Sequence, residues 1–176
     1  MEQDWVEQAG KGNREAFTRL MTPYRQRLFG FMRLNVATPQ TAEDLVQETL
    51  IKVWLALPAY RERGRFIAWL MTIAQRVLID HRRHRHEDFP LEDVRLTASA
   101  AANPELQLEH KASQQRLVQA VKALAPATRQ VFLMRQQSEL TFREIAAAMD
   151  LPLNTVLGHM HRARTRLKKE VIHEAN

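Results

Sequence analysis

Residues 140–167 read LTFREIAAAMDLPLNTVLGHMHRARTRL, and this stretch has the order of a helix-turn-helix. Thr141 and Glu144 stand three residues apart at the start of the first helix, which is the spacing of a capping box. Asp150 occupies the tight turn, where glycine is favoured and aspartate is tolerated in a left-handed conformation. Asn154 is the predicted N-cap of the second helix. The stretch therefore predicts two helices that pack across each other.

The second helix of this motif has one apolar side and one basic side. Its inward stripe consists of Val156, Met160, Ala163 and Leu167. The residues that we expect to face DNA are Thr155, Leu157, Gly158, His159, His161, Arg162, Thr165 and Arg166. A recognition helix in a major groove presents such a face, with its first residues near base edges and its later cations near phosphates. A helical hairpin with a solvated basic face is the alternative interpretation.

The composition as a whole is that of a globular, helical protein. The chain has 176 residues, of which 45% are hydrophobic and 26% charged, with only five glycines and seven prolines. The absence of cysteine excludes disulfides, iron–sulfur clusters, thiolate zinc sites and a cysteine nucleophile. The acidic N-terminus lacks the features of a signal peptide, and no apolar run approaches the roughly 20 residues that span a bilayer. We expect an all-α, cytoplasmic protein without membrane insertion.

The charge is segregated along the chain, although the net charge is only +6. Residues 61–86 hold seven arginines against two acids, and residues 154–169 hold five cations and no acid. Between them, residues 87–113 hold six acids against two cations. A basic protein of this kind suits a polyanionic partner such as nucleic acid. The acidic stretch has prolines and small residues without sustained periodicity, so we predict a flexible linker at 87–104 between a domain at 1–86 and a domain at 105–176.

A helix is predicted from Ala42 to Leu57 in the first domain. Its apolar stripe consists of Val46, Leu50, Val53, Trp54 and Leu57. Asp44 and Glu48 fall on the opposite side, one turn apart, where two carboxylates repel slightly. They form either a docking surface for a basic partner or an ordinary solvated face.

A second helix is predicted from about Arg65 to Arg83. Its apolar stripe consists of Phe66, Trp69, Leu70, Ile73 and Val77, and a polar track beside it consists of Arg65, Thr72, Arg76 and Arg83. Such a track could follow a phosphate backbone. Trp69 lies between the stripe and the track, where it either stacks on an unpaired base or packs in the core.

The seven histidines raise the alternative of a metal-dependent enzyme. His81, His84 and His86 are clustered, but only one pair converges on a helix and no nearby carboxylate completes the ligand set. His159 and His161 are two residues apart and diverge. The sequence also lacks a recognisable nucleophile, phosphate loop or dinucleotide fingerprint. We therefore expect no enzyme activity, no metal and no cofactor.

Two parts of the chain together resemble the bacterial extracytoplasmic-function sigma factors of the sigma-70 family. In the first domain the resemblance is carried by AEDLVQE at 42–48, KVW at 52–54, and the pattern from Phe66 through IDHRR at 79–83. In the second domain it is carried by residues 140–168, with HRAR at 161–164. The motifs follow the order and the spacing of the family over about residues 12–86 and 107–169.

The resemblance implies a promoter-specificity subunit with two DNA-reading domains. It assigns Asp44, Gln47 and Glu48 to docking on core RNA polymerase. It assigns recognition and opening of the minus-ten promoter element to Arg61, Arg63, Arg65, Trp69, Arg76, Arg82 and Arg83. The last helix then reads the minus-thirty-five element of the promoter DNA, and the linker threads the RNA channel of the polymerase. An anti-sigma factor is a further implied partner, and we expect a monomer.

This chain also departs from the family pattern. Leu157, Gly158 and His159 stand where members commonly carry Lys or Arg, Ser and Arg, and Arg76 stands where Asn is frequent. The promoter sequence is therefore not carried over from the family. A stand-alone helix-turn-helix regulator is the alternative function, although it leaves the first domain and its acidic pair unexplained.

Overall fold

The computed structural model describes residues 2–61, 65–85 and 114–172, and all the regular structure within these ranges is helical. The expected all-α fold is thereby confirmed for the described part of the chain. The predicted linker at 87–104 lies outside these residues. Within them, none of the helices combines the length and the apolar character needed to span a bilayer.

Four helices and one short 3₁₀ turn make up the N-terminal part. They are α1 (Glu2–Gly10), α2 (Arg14–Arg33), α3 (Pro39–Ala56), the turn Leu57–Ala59, and α4 (Phe66–Arg85). Side-chain caps fix where two of them begin, because Asn13 Oδ1 accepts from the Ala16 amide and Thr38 Oγ1 from the Thr41 amide, both at 3.1 Å. The helices predicted from 42 to 57 and from 65 to 83 are confirmed to within three residues.

The core of this part lies between α2, α3 and α4. The predicted stripes point into it, since Val46 and Val53 on α3 and Leu57 in the following turn are buried, as are Phe66, Leu70, Ile73 and Val77 on α4. Trp54 is only partly buried, and its ring meets Phe17 of α2 edge-on with 5.0 Å between the ring centroids. The stripe on α3 also includes Thr49, which is buried because its hydroxyl donates to the Leu45 carbonyl at 2.7 Å.

The C-terminal part contains a helix described over 114–122, here α5, followed by α6 (Pro126–Gln137), α7 (Phe142–Met149) and α8 (Leu153–Ile172). The capping box is confirmed, because Glu144 accepts from the Thr141 amide at 2.7 Å while Thr141 Oγ1 accepts from the Glu144 amide at 3.2 Å. Asp150 adopts the left-handed conformation that the turn requires, with φ 52° and ψ 49°. The predicted helix-turn-helix is therefore present.

One predicted cap is wrong. Helix α8 begins at Leu153, so Asn154 lies within its first turn. The reason is that the Leu151 amide bonds back to the Ala146 carbonyl, which closes the turn early. The Pro152 carbonyl then accepts from the amides of Thr155 and Val156 and starts the helix one residue before the asparagine is reached.

The two parts pack directly on one another. Helix α4 contacts α7, and α2 contacts α6. A buried amide pair crosses the junction, with Gln75 Nε2 donating to Gln130 Oε1 at 2.9 Å. Arg129 of α6 donates to the Leu34 carbonyl at 3.1 Å, at the end of α2. This arrangement joins residues far apart in the chain, so local sequence patterns do not predict it.

Candidate nucleic-acid interface

Helix α8 separates a buried apolar side from an exposed basic side, as expected of a recognition helix. Val156, Met160, Ala163 and Leu167 are all buried against the rest of the helix-turn-helix. Of the eight candidate DNA-facing residues, Leu157, His161, Arg162, Thr165 and Arg166 are exposed, whereas Thr155, Gly158 and His159 are half-buried. A shallow concavity on the outward side is lined by His161, Arg162, Thr165, Arg166 and Lys169. Three of these five side chains are permanent cations, which suits contact with a nucleic acid.

His159 is held against α6 rather than pointing freely outward. Its Nδ1 lies 2.9 Å from the hydroxyl of Thr128, a buried residue in the first turn of α6. The same nitrogen lies 2.9 Å from an NH2 nitrogen of Arg162, one turn further along α8. Burial, and then the charge of Arg162, lower the pKa of His159 below its ordinary value. The imidazole is therefore favoured in its neutral form.

The candidate minus-ten residues occupy different environments on and beside α4. Arg61, Arg65, Arg76 and Arg83 are exposed, and Arg63 lies outside the described residues. Arg82 is half-buried, and its guanidinium donates to Asn35 Oδ1 at 3.1 Å. Burial lowers the pKa of Arg82 from its ordinary value. Its guanidinium therefore connects α4 to the chain that follows α2.

Trp69 lies at the edge of the core within an aromatic cluster. Its ring centroid is 4.6 Å from that of Tyr60 and 5.5 Å from that of Phe66. Phe66 is buried, whereas Trp69 and Tyr60 remain half-buried. The geometry therefore combines the two interpretations of this tryptophan, since one part of the ring packs in the core and another part remains accessible.

A cavity of about 1290 Å³ lies beside this aromatic cluster. Its lining includes Tyr60, Arg61 and Arg65, together with the acidic residues Glu2 and Asp4 of α1. The Tyr24 hydroxyl donates to Glu2, and burial raises the pKa of this tyrosine above its ordinary value. The sequence analysis did not assign a role to α1. The only sequence signal was the pair of acids in its first turn, which by itself is ordinary helix chemistry.

The predicted docking residues of α3 are exposed and share a face with apolar side chains. Asp44, Gln47 and Glu48 are all accessible. Ile51 is 59% exposed and Leu55 is 71% exposed, and at 100° per residue both fall in the same arc as the three polar residues. Lys52 lies at the margin, 2.9 Å from Glu48 and 3.5 Å from Asp80. Ile51 and Leu55 were not among the docking residues predicted from the sequence, although apolar residues four apart and outside the core stripe were a visible signal.

Four cations converge where the two parts of the chain meet. Arg33 donates to the Ala37 carbonyl at 3.1 Å, and Arg129 donates to the carbonyls of Lys122, Leu124 and Leu34. Burial, and then the charges of Arg33 and Arg129, lower the pKa of Lys122 to about 8. Burial and the charge of Arg82 likewise lower the pKa of Arg129 to about 10. The cations at the junction therefore repel one another at neutral pH.

The histidine cluster of α4 shows no metal-binding geometry in the part of the chain that the structure describes. His84 Nδ1 is engaged with the Asp80 carbonyl at 2.7 Å, and His86 lies outside the described residues. Across residues 2–61, 65–85 and 114–172, no three His, Asp or Glu side chains are grouped so that they could hold a metal ion.

Comparison with known proteins identifies both parts of the chain. Residues 20–87 match the family profile of Sigma-70 region 2, and residues 114–167 match that of Sigma-70 region 4. The ECF RNA polymerase sigma factor SigD of Mycobacterium tuberculosis is 31% identical over 174 residues, which cover 95% of this chain and 82% of that protein. The RNA polymerase sigma-H factor of Pseudomonas aeruginosa is 28% identical over 178 residues, which cover 96% of this chain and 92% of that protein.

Solved structures share the fold. The complex of CnrH with the cytosolic domain of CnrY contains a chain with a TM-score of 0.70 and 24% identity, and the match covers 99% of this chain and 98% of that one. The sigma factor RpoE of Bartonella quintana, solved with the anti-sigma factor NepR, gives a TM-score of 0.73 and 22% identity over 88% of this chain and 96% of that one. The helical arrangement described above is thus one that solved proteins adopt.

Proposed function

Because this chain belongs to the extracytoplasmic-function family of RNA polymerase sigma factors, we propose that it binds core RNA polymerase through α3 and directs it to promoters. The polymerase catalyses the synthesis of RNA, and this chain contributes binding and specificity without a covalent step of its own. The site of action is then the cytoplasm. The alternative, a stand-alone helix-turn-helix regulator, would not need the exposed face of α3.

The observation that carries this proposal is the composition of that face. Asp44, Gln47 and Glu48 stand beside Ile51 and Leu55, and none of the five is required by the core. Protein interfaces combine an apolar centre with a polar rim in this way. Two large aliphatic side chains exposed one turn apart gain stabilisation only when a partner covers them, at about 25 cal/mol per Å² of apolar surface.

The docking proposal gives each part of the chain a separate role. We propose that residues 1–86 form the polymerase-docking and minus-ten domain, that 87–104 form the linker, and that 105–176 form the minus-thirty-five domain. Arg61, Arg76 and Arg83 offer exposed cations for the minus-ten DNA, and Arg65 would join them on leaving its ion pair with Glu144. Trp69 is the side chain on which a base could stack. The exposed side of α8 offers the second DNA surface.

An anti-sigma factor is the proposed inhibitory partner, in line with the family. The similar RpoE structure is a complex with such a factor. We propose that the chain otherwise acts as a monomer within one polymerase complex. Gel filtration at several concentrations measures this, and a mass that doubles with concentration would contradict it.

Charge reversal on α3 tests the docking assignment. We expect Asp44→Lys with Glu48→Lys to weaken binding to sigma-free core polymerase by at least tenfold, which is about 1.4 kcal/mol. The matched control is Glu43→Lys, which reverses a charge on the same exposed helix outside this arc. Fluorescence anisotropy of labelled protein titrated with core polymerase gives the affinities. Equal affinity of the double variant and the wild type would reject the assignment.

A further inference from the structure

His159 occupies an unusual position for a residue on the outward half of a recognition helix. Its ring is half-buried, and Nδ1 is directed at the buried Thr128 hydroxyl of α6, 2.9 Å away. The same nitrogen meets the Arg162 guanidinium at 2.9 Å. One ring nitrogen thus connects α6, α8 and an exposed cation.

The chemistry of this contact fixes the state of the imidazole. Arginine has only hydrogen-bond donors, so Nδ1 of His159 must be the acceptor. The ring is then neutral and carries its proton on Nε2, and the single lone pair of Nδ1 is shared between the Arg162 guanidinium and the Thr128 hydroxyl. A protonated ring, or the other tautomer, would place an N–H against the guanidinium and break the contact with Arg162, while the Thr128 oxygen could accept from that N–H.

The Arg162 guanidinium lies beside Gly158. A Cβ built at position 158 would lie 3.5 Å from the NH1 nitrogen of Arg162. The guanidinium therefore lies back over the N-terminal half of α8, beside the bare backbone of the glycine.

We propose that His159 is a positioning residue, which holds Arg162 over Gly158 so that its guanidinium fork reads a guanine in the major groove. This proposal rests on the proposed function and specifies how α8 achieves sequence preference. Each terminal nitrogen of the guanidinium carries two hydrogens, so one hydrogen bond to His159 leaves a pair free for O6 and N7 of guanine. His159 acts through Arg162 and makes no specific base contact of its own through Nδ1.

The position of the guanidinium distinguishes this role from a phosphate contact. Base edges are read by the N-terminal residues of a recognition helix, and phosphates are met by cations further along. Arg162 would on spacing alone belong to the later group, together with the exposed Arg166. The contact with His159 brings its guanidinium one turn back, toward Gly158.

The test uses holoenzyme assembled from the full chain and sigma-free core polymerase. Transcription is measured on a promoter that the wild type uses, together with all single-base changes in its upstream element. Four variants are compared: Arg162→Lys, His159→Leu, His159→Asn and Arg166→Ala. Thermal melting of each variant checks that it is folded.

We expect Arg162→Lys and His159→Leu to lose about tenfold of the preference for guanine at one position. His159→Asn should keep the preference, because the asparagine Oδ1 can accept from Arg162 where Nδ1 did. Arg166→Ala should lower transcription from every promoter variant by a similar factor. Loss of a packing side chain alone would not produce this base-specific pattern or its rescue by asparagine.

Full guanine preference in either Arg162→Lys or folded His159→Leu would overturn the proposal, as would equal loss in His159→Asn and His159→Leu. If His159→Leu does not fold, the guanine preferences of Arg162→Lys and His159→Asn still test the proposal. A wild-type holoenzyme that starts no transcription would reject the proposed function itself. A wild type that transcribes while its variants keep their preference would reject only the role of His159.

Discussion

Arg65 at the start of α4 and Glu144 in the helix-turn-helix form a two-point ion pair across the two parts of the chain. Arg65 Nε lies 2.9 Å from Glu144 Oε1, and its NH2 nitrogen lies 2.7 Å from Oε2. The same Oε2 accepts from the amide and the hydroxyl of Thr141, so the ion pair and the capping box form one network. Arg65 is also a candidate minus-ten residue, and in this arrangement its guanidinium is bound by Glu144 of the helix-turn-helix.

The Arg65–Glu144 pair predicts a stability difference that depends on acid. The Arg65 guanidinium, and the bonds from Thr141, lower the pKa of Glu144 to about 2. A carboxylate whose pKa is lowered in the folded state stabilises the fold at pH values above its ordinary pKa of 4.5. This stabilisation is lost as the pH falls from 4.5 toward 2. Arg65→Ala should therefore lower the free energy of unfolding at pH 7 by about 0.5 to 1 kcal/mol, since the pair is partly exposed.

Urea unfolding of the wild type and of Arg65→Ala at pH 7, 5 and 3 measures this difference. It should be largest at pH 7 and shrink at pH 3. The control is Arg19→Ala, whose ion pair with Glu15 lies on the exposed side of α2, far along the chain from the junction. A difference between wild type and Arg65→Ala that stays constant with pH would contradict the account of this pair.

Lys122 predicts a second pH-dependent difference in stability, at alkaline pH. Its pKa is lowered to about 8, so the unfolded chain binds more protons than the folded chain between about pH 8 and its ordinary value of 10.5. Stability should therefore rise with pH over this window, and the lowered pKa is a cost at neutral pH. Lys122→Met removes the buried charge, and we expect it to stabilise the fold at pH 7 by on the order of 1 kcal/mol.

The benefit of Lys122→Met should vanish above about pH 10.5, where the wild-type amine is neutral in both states. Lys52→Met is the matched control, because hydrogen bonding to Glu48 raises the pKa of Lys52 and this lysine is partly exposed. That control should leave stability unchanged or slightly lower it. Thermal unfolding at pH 7 and pH 10.5 compares the two variants, and a destabilised Lys122→Met would refute the electrostatic interpretation of the junction.

Leu55 predicts a separation between stability and binding. Its side chain is 71% exposed, so Leu55→Gln should change the free energy of unfolding by less than about 0.5 kcal/mol. Because this leucine lies on the proposed docking face, the same change should weaken binding to core polymerase severalfold. Leu117→Gln is the control, since Leu117 is an exposed leucine on α5, outside that face. Equal polymerase affinities for the two variants would remove Leu55 from the interface.

Periodicity and capping chemistry predicted the helices well because these signals are local. The capping box at Thr141 and the left-handed Asp150 follow from a few neighbouring residues, and both are confirmed. Asn154 was wrong as a cap because the backbone bond from the Leu151 amide to the Ala146 carbonyl closes the turn early, and the Pro152 carbonyl then starts the helix before Asn154.

The pairings across the junction could not be predicted, because they join residues far apart in the chain. Arg65 was assigned to DNA from its place on a basic track, and its partner Glu144 was assigned only to a cap. Neither assignment predicted that the two residues form an ion pair. Similarly, His159 was grouped with the outward-facing residues by helical angle, and its contact with Thr128 depends on how α6 packs against α8. The roles of the candidate site residues in DNA and polymerase binding remain predictions.

Transcription from genomic DNA fragments by sigma-free core RNA polymerase, with and without this protein, tests the central claim most directly. Sequencing of the transcript ends then locates the start sites. The account predicts new starts that appear only with the protein and share two spaced upstream elements, and that disappear when Asp44 and Glu48 are both changed to lysine. The absence of new starts, together with the absence of a complex with core polymerase on gel filtration, would contradict it.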